Sequence, residues 1–137
     1  MIINSCKEIS NVLNKEKITS VLIVTDRGII DNKLITPVED TLISSGVSYC
    51  IYEHTQPNPT IQNVEDALEI YKANNCNGLI AIGGGSVMDC AKAVGACVVY
   101  PNKHLRQMKG ILRVLRKLPP LIAVPTTAGT GSETTLA

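Results

Sequence analysis

Short apolar runs alternate along this chain with longer stretches of helical periodicity. Four runs are almost continuously apolar or β-branched, as is typical of strands buried on both faces of a sheet: residues 21–25, 47–52, 78–82 and 121–124. Residues 98–100 are compatible with either a helix end or a short strand. The alternation predicts an α/β fold, in which a parallel sheet carries helices on both faces.

Helices are predicted between these runs from capping signals and apolar spacing. Thr36 and Ser86 each begin a capping-box pattern, and Gly46 is placed to end the helix that Thr36 begins. The predicted helices cover residues 37–45, 61–71, 87–96 and, more weakly, a basic segment at 105–118.

The composition is that of one ordinary globular domain. The chain has 137 residues, of which 45% are hydrophobic and 18% charged, and its core must be aliphatic because it has four Tyr and no Phe or Trp. The net charge of +1 creates no strong field for nucleic acid or an anionic membrane. No secretory leader is predicted, and the apolar runs are too short to span a bilayer, so we expect a cytoplasmic protein.

The cysteines predict reduced thiols rather than disulfides. Their number is odd and no C-x-x-C pair occurs, which is typical of buried thiols in a cytosolic protein. Cys90 is of interest because it follows a glycine-rich motif, although a small core residue on a helix is the more ordinary interpretation. The five cysteines are Cys6, Cys50, Cys76, Cys90 and Cys97.

The glycine-rich motif lies between the third predicted strand and a predicted helix. Gly83, Gly84 and Gly85 let the backbone approach a ligand closely, and the helix N-terminus presents free N–H groups to an anion such as a pyrophosphate. A tight strand–helix turn would usually need only one glycine, so three of them favour anion binding. The motif is not the G-x-G-x-x-G fingerprint, because Met88 stands where its third glycine would be.

Two other strand ends carry candidate chemistry. Asp26 follows the first strand and could accept hydrogen bonds from ribose hydroxyls, but a helix-capping or turn role is slightly favoured by these residues alone. The loop at residues 125–133 is rich in hydroxyl groups and glycine. Its composition fits a ligand site and a polar surface about equally, and its position after a strand favours the ligand.

Four segments together resemble the iron-containing alcohol dehydrogenase family. They occur in the family's order at residues 24–28, 56–60, 83–92 and 125–133, and the resemblance covers the chain from about Ser20 onward. It implies a Rossmann-like N-terminal domain for NAD(P) and a C-terminal helical domain that holds one divalent metal, expected to be Fe²⁺. The implied reaction is hydride transfer between a small alcohol or aldehyde and the nicotinamide.

The resemblance also implies roles for individual residues. Asp26 would contact the adenosine ribose and repel a 2′-phosphate, which favours NAD over NADP. Asp89 would face the nicotinamide and the substrate, and it is the candidate catalytic residue, although it could cap the helix at the same time. The implied cofactor contacts are Asp26, Gly84, Gly85, Ser86, Asp89, Thr126, Thr127, Thr130 and Thr135.

The chain departs from the family pattern at both ends. Residues 1–137 are expected to form the NAD(P)-binding N-terminal domain of a truncated member, without the family's metal ligands of one Asp and three His. His54 and His104 have no ligand spacing, so no metal site is predicted in this chain. The alternatives are a cofactor-binding fragment without turnover and a relative of the glycerol dehydrogenases or dehydroquinate synthases. A homodimer is expected only by analogy.

Overall fold

The computed structural model describes residues 6–99 and 118–126 of the chain. In these ranges, strands and helices alternate in chain order: α1 (Cys6–Lys15), β1 (Ser20–Val24), α2 (Arg27–Asp31), α3 (Thr36–Ser44), β2 (Ser48–Tyr52), α4 (Ile61–Ala73), β3 (Gly78–Gly83), α5 (Gly85–Val99) and β4 (Leu121–Pro125). The strands form one sheet in the order β2-β1-β3-β4, and every neighbouring pair is parallel. The predicted α/β fold is confirmed.

The core lies on both faces of the sheet. Alternate side chains of β1 point to opposite sides, so Val21 and Ile23 pack with α1, α2 and α3, whereas Leu22 and Val24 pack with α4 and α5. All four of these side chains are fully buried. Burial on both faces explains why β1 and β3 are continuous apolar runs in the sequence.

The order in which the strands are added to the sheet reverses at β1. The strand that follows it, β2, lies on one side, and the later strands β3 and β4 lie on the other. In open α/β sheets, such a switch point leaves a crevice beyond the carboxyl ends of the strands. The buried Thr25 hydroxyl donates a 2.8 Å hydrogen bond to the Ile82 carbonyl and ties the ends of β1 and β3 together.

Four successive helices, α1 to α4, end in the same Schellman motif. In each, a residue in the left-handed region donates its N–H to the carbonyl three residues before it, and the next residue donates to the carbonyl five residues before it. The left-handed residues are Lys17, Lys33, Gly46 and Asn75, with φ values of 56°, 57°, 72° and 52°. The prediction that Gly46 ends α3 is confirmed.

Two predicted N-caps are wrong. Thr36 is the first residue of α3 rather than its cap, because the cap position falls on Ile35, whose own backbone is already helical. Ser86 lies inside the first turn of α5, which begins at Gly85, and its hydroxyl bonds to another segment. Residues 98 and 99 belong to the end of α5. Of the predicted basic helix at 105–118, residues 105–117 lie outside the described residues, and residue 118 is not helical.

Candidate cofactor-binding site

A cleft of about 540 Å³ opens beyond the carboxyl ends of β1, β2 and β3. Its walls are residues 26–28, 53–57 and 84–87, each of which directly follows a strand. This is the crevice that the switch of strand order at β1 creates. The first and third of these segments were predicted as ligand turns, and the structure brings them together.

The turn formed by Gly83, Gly84 and Gly85, here called the glycine turn, forms one wall of the cleft. Gly83 has a φ of +145°, and a Cβ at this position would lie 3.0 Å from the Val87 side chain, so the turn itself requires glycine here. Gly84 and Gly85 are exposed, and a Cβ added to either would meet nothing within 4 Å. Packing therefore does not require these two glycines, and their lack of side chains keeps the N-terminus of α5 open to the cleft.

The segment after β2 forms the opposite wall and is held at two points. The Ser86 hydroxyl donates to the Pro57 carbonyl and so links this wall to the glycine turn. The buried Asn63 amide accepts from the Thr60 N–H at 3.0 Å and donates to the Tyr52 hydroxyl at 3.1 Å and the His54 carbonyl at 3.4 Å. The wall is thus fixed to both α4 and α5.

Asp26 lies where β1 ends and α2 begins. Its carboxylate accepts a 3.0 Å hydrogen bond from the Ile29 N–H and is the N-cap of α2. The capping interpretation is confirmed, while a ribose contact stays a prediction. A carboxylate has several acceptor sites, so one capping bond leaves capacity for a ligand.

Two charged residues that sequence reasoning missed lie beside Asp26. Arg27 pairs with Glu53 and, at 3.6 Å, with Asp31, and both Arg27 and Glu53 line the cleft. Arg27 and Glu53 are 26 positions apart, so only the pairing of β1 with β2 brings them together. No local signal in the sequence could have indicated this pair.

Cys90 lies in α5 just beyond the glycine turn and has no exposed surface. Burial raises the pKa of its thiol to about 11, while the neighbouring Thr55 hydroxyl opposes this rise. The ordinary interpretation of Cys90 as a small core residue on a helix is confirmed.

The remaining predicted contacts lie around or beyond the cleft. Thr126 follows β4, and its N–H donates to the Gly83 carbonyl at 3.2 Å, which places it beside the glycine turn. Asp89 is exposed on α5 and is not one of the residues that line the cleft. Thr127, Thr130 and Thr135 lie outside the described residues.

The potential metal-ligating side chains among the described residues do not fit the metal that the family resemblance implies. Within residues 6–99 and 118–126, no three His, Cys, Asp or Glu side chains converge on a point where a metal could bind. His54 is exposed at the cleft, with its ring edge-on to Tyr52 at 5.8 Å, and His104 lies outside the described residues. The described residues alone therefore provide no site for this metal.

Comparison with known proteins identifies the family. The family model described as iron-containing alcohol dehydrogenase matches residues 3–137. The chain belongs to this family. This confirms the resemblance carried by the four sequence segments.

Relatives and solved structures of the family match the chain along most of its length. It is 40% identical over 120 residues to choline dehydrogenase of Bacillus subtilis (strain 168), covering 86% of the chain and 30% of that protein. It is 35% identical over 129 residues to NAD-dependent methanol dehydrogenase of Bacillus methanolicus, covering 94% of the chain and 34% of that protein. The crystal structure of a 1,3-propanediol oxidoreductase matches with a TM-score of 0.84 and 30% identity, covering 98% of the chain and 35% of that protein.

The chain spans about a third of the length of these relatives. The part that matches is the Rossmann-like N-terminal domain of the family, as predicted. No helix in the described part of the chain is long and apolar enough to cross a membrane.

Proposed function

We propose that this chain binds NAD in the cleft as the dinucleotide-binding domain of a metal-dependent alcohol dehydrogenase. The observation that supports this most strongly is the open N-terminus of α5, which Gly84 and Gly85 leave uncovered at the switch point of the sheet. The NAD dependence named for the Bacillus methanolicus relative agrees with it. The substrate is a small alcohol or aldehyde.

The pyrophosphate of NAD would lie against the first turn of α5. The free N–H groups of this turn and the partial positive charge of a 15-residue helix both favour an anion here. Bound NAD supplies the hydride acceptor, and the chain binds and orients it. Gly84, Gly85 and Ser86 would contact the pyrophosphate, and Asp26 would accept from the hydroxyls of the adenosine ribose.

The other expected contacts are proposed on the family pattern alone. Asp89 would lie near the nicotinamide and substrate, and the threonines that follow β4 would line the cofactor: Thr126, Thr127, Thr130 and Thr135. Iron is proposed only for a full-length protein. Homodimerisation and a cytoplasmic location stay predictions.

The charges of the cleft favour NAD over NADP. Asp26 and Glu53 would both repel a 2′-phosphate. Arg27 could attract such a phosphate, but its guanidinium is paired with Glu53 and Asp31. Glu53 therefore acts twice, by adding negative charge and by occupying the arginine.

Replacing Gly85 by Val tests the pyrophosphate assignment. The new side chain would project into open space, so we expect the domain to fold as before and NAD⁺ binding to fall at least tenfold, a loss of about 1.4 kcal/mol. Calorimetric titration with NAD⁺ measures the affinity, and circular dichroism checks the fold. Ser44→Val, at an exposed position on α3, is the matched control. Wild-type affinity in a folded Gly85→Val chain would refute the assignment.

Replacing Asp26 by Asn and Glu53 by Gln tests the choice of cofactor. Asn retains the N-cap of α2, so this change removes only the charge. We expect each variant to shift the ratio of NADP⁺ to NAD⁺ affinity towards NADP⁺ by roughly three- to tenfold, and the double variant to shift it further. Asp31→Asn removes the weaker partner of Arg27 and should shift the ratio less. An unchanged ratio in the double variant would mean that the ribose does not lie at this end of the cleft.

A further inference from the structure

Two thiols meet on the α4 side of the sheet, away from the cleft. Cys50 lies in β2, Cys76 lies in the turn between α4 and β3, and their sulfur atoms are 3.6 Å apart. Both residues are partly exposed and neither is in a disulfide. By contrast, Cys90 and Cys97 are buried in the core. The close approach of two accessible thiols is thus particular to this pair among the described cysteine side chains.

The surrounding hydrogen bonds give the two thiols different roles. The Ser20 hydroxyl donates to the Cys76 sulfur at 3.7 Å, sharing its proton with the Asn74 carbonyl at 3.3 Å. The Cys50 thiol instead donates to the Val21 carbonyl at 3.6 Å. Burial is the main cause that raises the pKa of the Cys50 thiol to about 12, and the neighbouring Cys76 is the second cause. The Cys76 sulfur receives a hydrogen bond from Ser20, whereas the Cys50 thiol holds its own proton on the Val21 carbonyl, so Cys76 is the better placed of the two to attack.

The backbone around Cys76 keeps the two sulfurs near each other. The neighbouring Asn77 side chain accepts from the Thr19 and Ser20 N–H groups and donates to the Lys17 carbonyl, which fixes the turn over the start of β1. A disulfide has an S–S distance of about 2.05 Å, so the sulfurs need to approach by about 1.5 Å. Closure therefore requires the two side chains to rotate towards each other within this held turn.

We propose that Cys50 and Cys76 form an oxidisable dithiol that closes to an intrachain disulfide by exchange with oxidised glutathione. This site is separate from the cleft, and it does not depend on the proposed function.

The exchange proceeds in two steps. The Cys76 thiolate attacks one sulfur of oxidised glutathione, which forms a mixed disulfide and releases one glutathione thiolate. The Cys50 thiol gives up its proton to solvent, and its sulfur attacks the Cys76 sulfur and releases the second glutathione. Two cysteine thiols are oxidised to one disulfide, and one glutathione disulfide is reduced to two thiols.

Incubation of the chain with excess oxidised glutathione tests the proposal. The remaining thiols are then alkylated under denaturing conditions, and the peptides are identified by mass spectrometry. We expect one Cys50–Cys76 disulfide, with Cys90 and Cys97 recovered as alkylated thiols. Closing this link should also raise the Tm by roughly 5–10 °C, and dithiothreitol should reverse the rise.

Single variants separate the two roles. Cys50→Ser should accumulate glutathione on Cys76, because the resolving thiol is gone, whereas Cys76→Ser should form an adduct on Cys50 at least tenfold more slowly. Cys97→Ser is the control and should form the disulfide at the wild-type rate. A wild-type chain that carries separate adducts and no link between Cys50 and Cys76 would overturn the proposal. Equal adduct rates in the two variants would overturn the assigned order of attack.

Discussion

The Cys90 thiol shows how the interior of α5 changes the chemistry of a single residue. Its position just after the glycine turn could suggest a nucleophile, but its side chain is fully buried and its pKa lies at about 11. At neutral pH almost no thiolate exists at this position, and a reactive cysteine needs one. Cys90 therefore packs behind the cleft instead of reacting within it.

The raised pKa of Cys90 predicts a loss of stability in alkaline solution. In the unfolded chain this thiol titrates near its ordinary value of 9, whereas in the folded chain it titrates near 11. The unfolded state therefore loses this proton first, so the contribution to stability is complete below pH 9 and is lost as the pH rises to 11. Its full size is about 2–3 kcal/mol.

Urea unfolding of the wild type and Cys90→Ala at a series of alkaline pH values measures this contribution. The variant should start less stable near neutral pH but lose less of its stability between pH 9 and 11. The pKa of Tyr71 is also raised by burial, but Cys90 is not among its causes, so Tyr71 contributes equally to both proteins and cancels in the comparison. Parallel curves for the two proteins would contradict the assignment of the slope to Cys90.

At the scale of one element, the N-terminus of α4 combines a helix cap with a wall of the cleft. Thr60 and Asn63 form a reciprocal capping box, in which each side chain bonds to the backbone N–H of the other. The same Asn63 amide also holds the Tyr52 hydroxyl and the His54 carbonyl. The entry angle of α4 and the position of residues 53–57 are thus set by one side chain.

Two variants of this cap should separate stability from binding. Asn63→Ala should lower the free energy of unfolding by about 2–3 kcal/mol, because it loses the cap and leaves buried groups unpaired. It should also weaken NAD⁺ binding several-fold, because the wall of the cleft is released. Thr60→Ala should cost only about 1 kcal/mol and leave the affinity unchanged. Urea unfolding and calorimetry give the two quantities, and an equal loss of affinity in both variants would show that the wall does not depend on Asn63.

The elements best predicted from the sequence are those whose cause is local. The strands were predicted to within about a residue, because burial on both faces leaves a continuous apolar run. The cap predicted at Ser86 is wrong because α5 already begins at Gly85, and the Ser86 hydroxyl instead donates to the Pro57 carbonyl, 29 positions away in the chain. The short helix α2 was missed because five residues carry no periodicity to detect.

At the scale of the whole molecule, the cleft is a product of strand order. The sequence predicted ligand turns after β1 and β3, and the structure adds the segment after β2, which includes the Glu53 partner of Arg27. That contribution could not be derived from local pattern, since it depends on which strands are neighbours. Family resemblance supplied part of it, because the segment at 56–60 belongs to the shared motifs.

The four Schellman motifs also show where the thermal stability of this fold can be improved. A left-handed residue other than glycine costs about 1–2 kcal/mol, and the lysines at Lys17 and Lys33 bear this strain. The greater conformational entropy of glycine in the unfolded chain offsets part of this strain. Lys17→Gly and Lys33→Gly should therefore each raise the free energy of unfolding by about 0.5–1 kcal/mol. Gly46→Ala, which introduces the strain, should lower stability by a similar amount.

Scanning calorimetry of these variants gives the comparison, and a double variant melting below the wild type would contradict the strain argument. Asn75→Gly should raise the melting temperature least, because asparagine tolerates this conformation better than lysine does. The motifs are distributed over separate helices, so the two lysine effects should add and raise the melting temperature by roughly 3–8 °C. The natural chain thus folds with removable strain at its helix ends, and a more heat-resistant version needs no new contact.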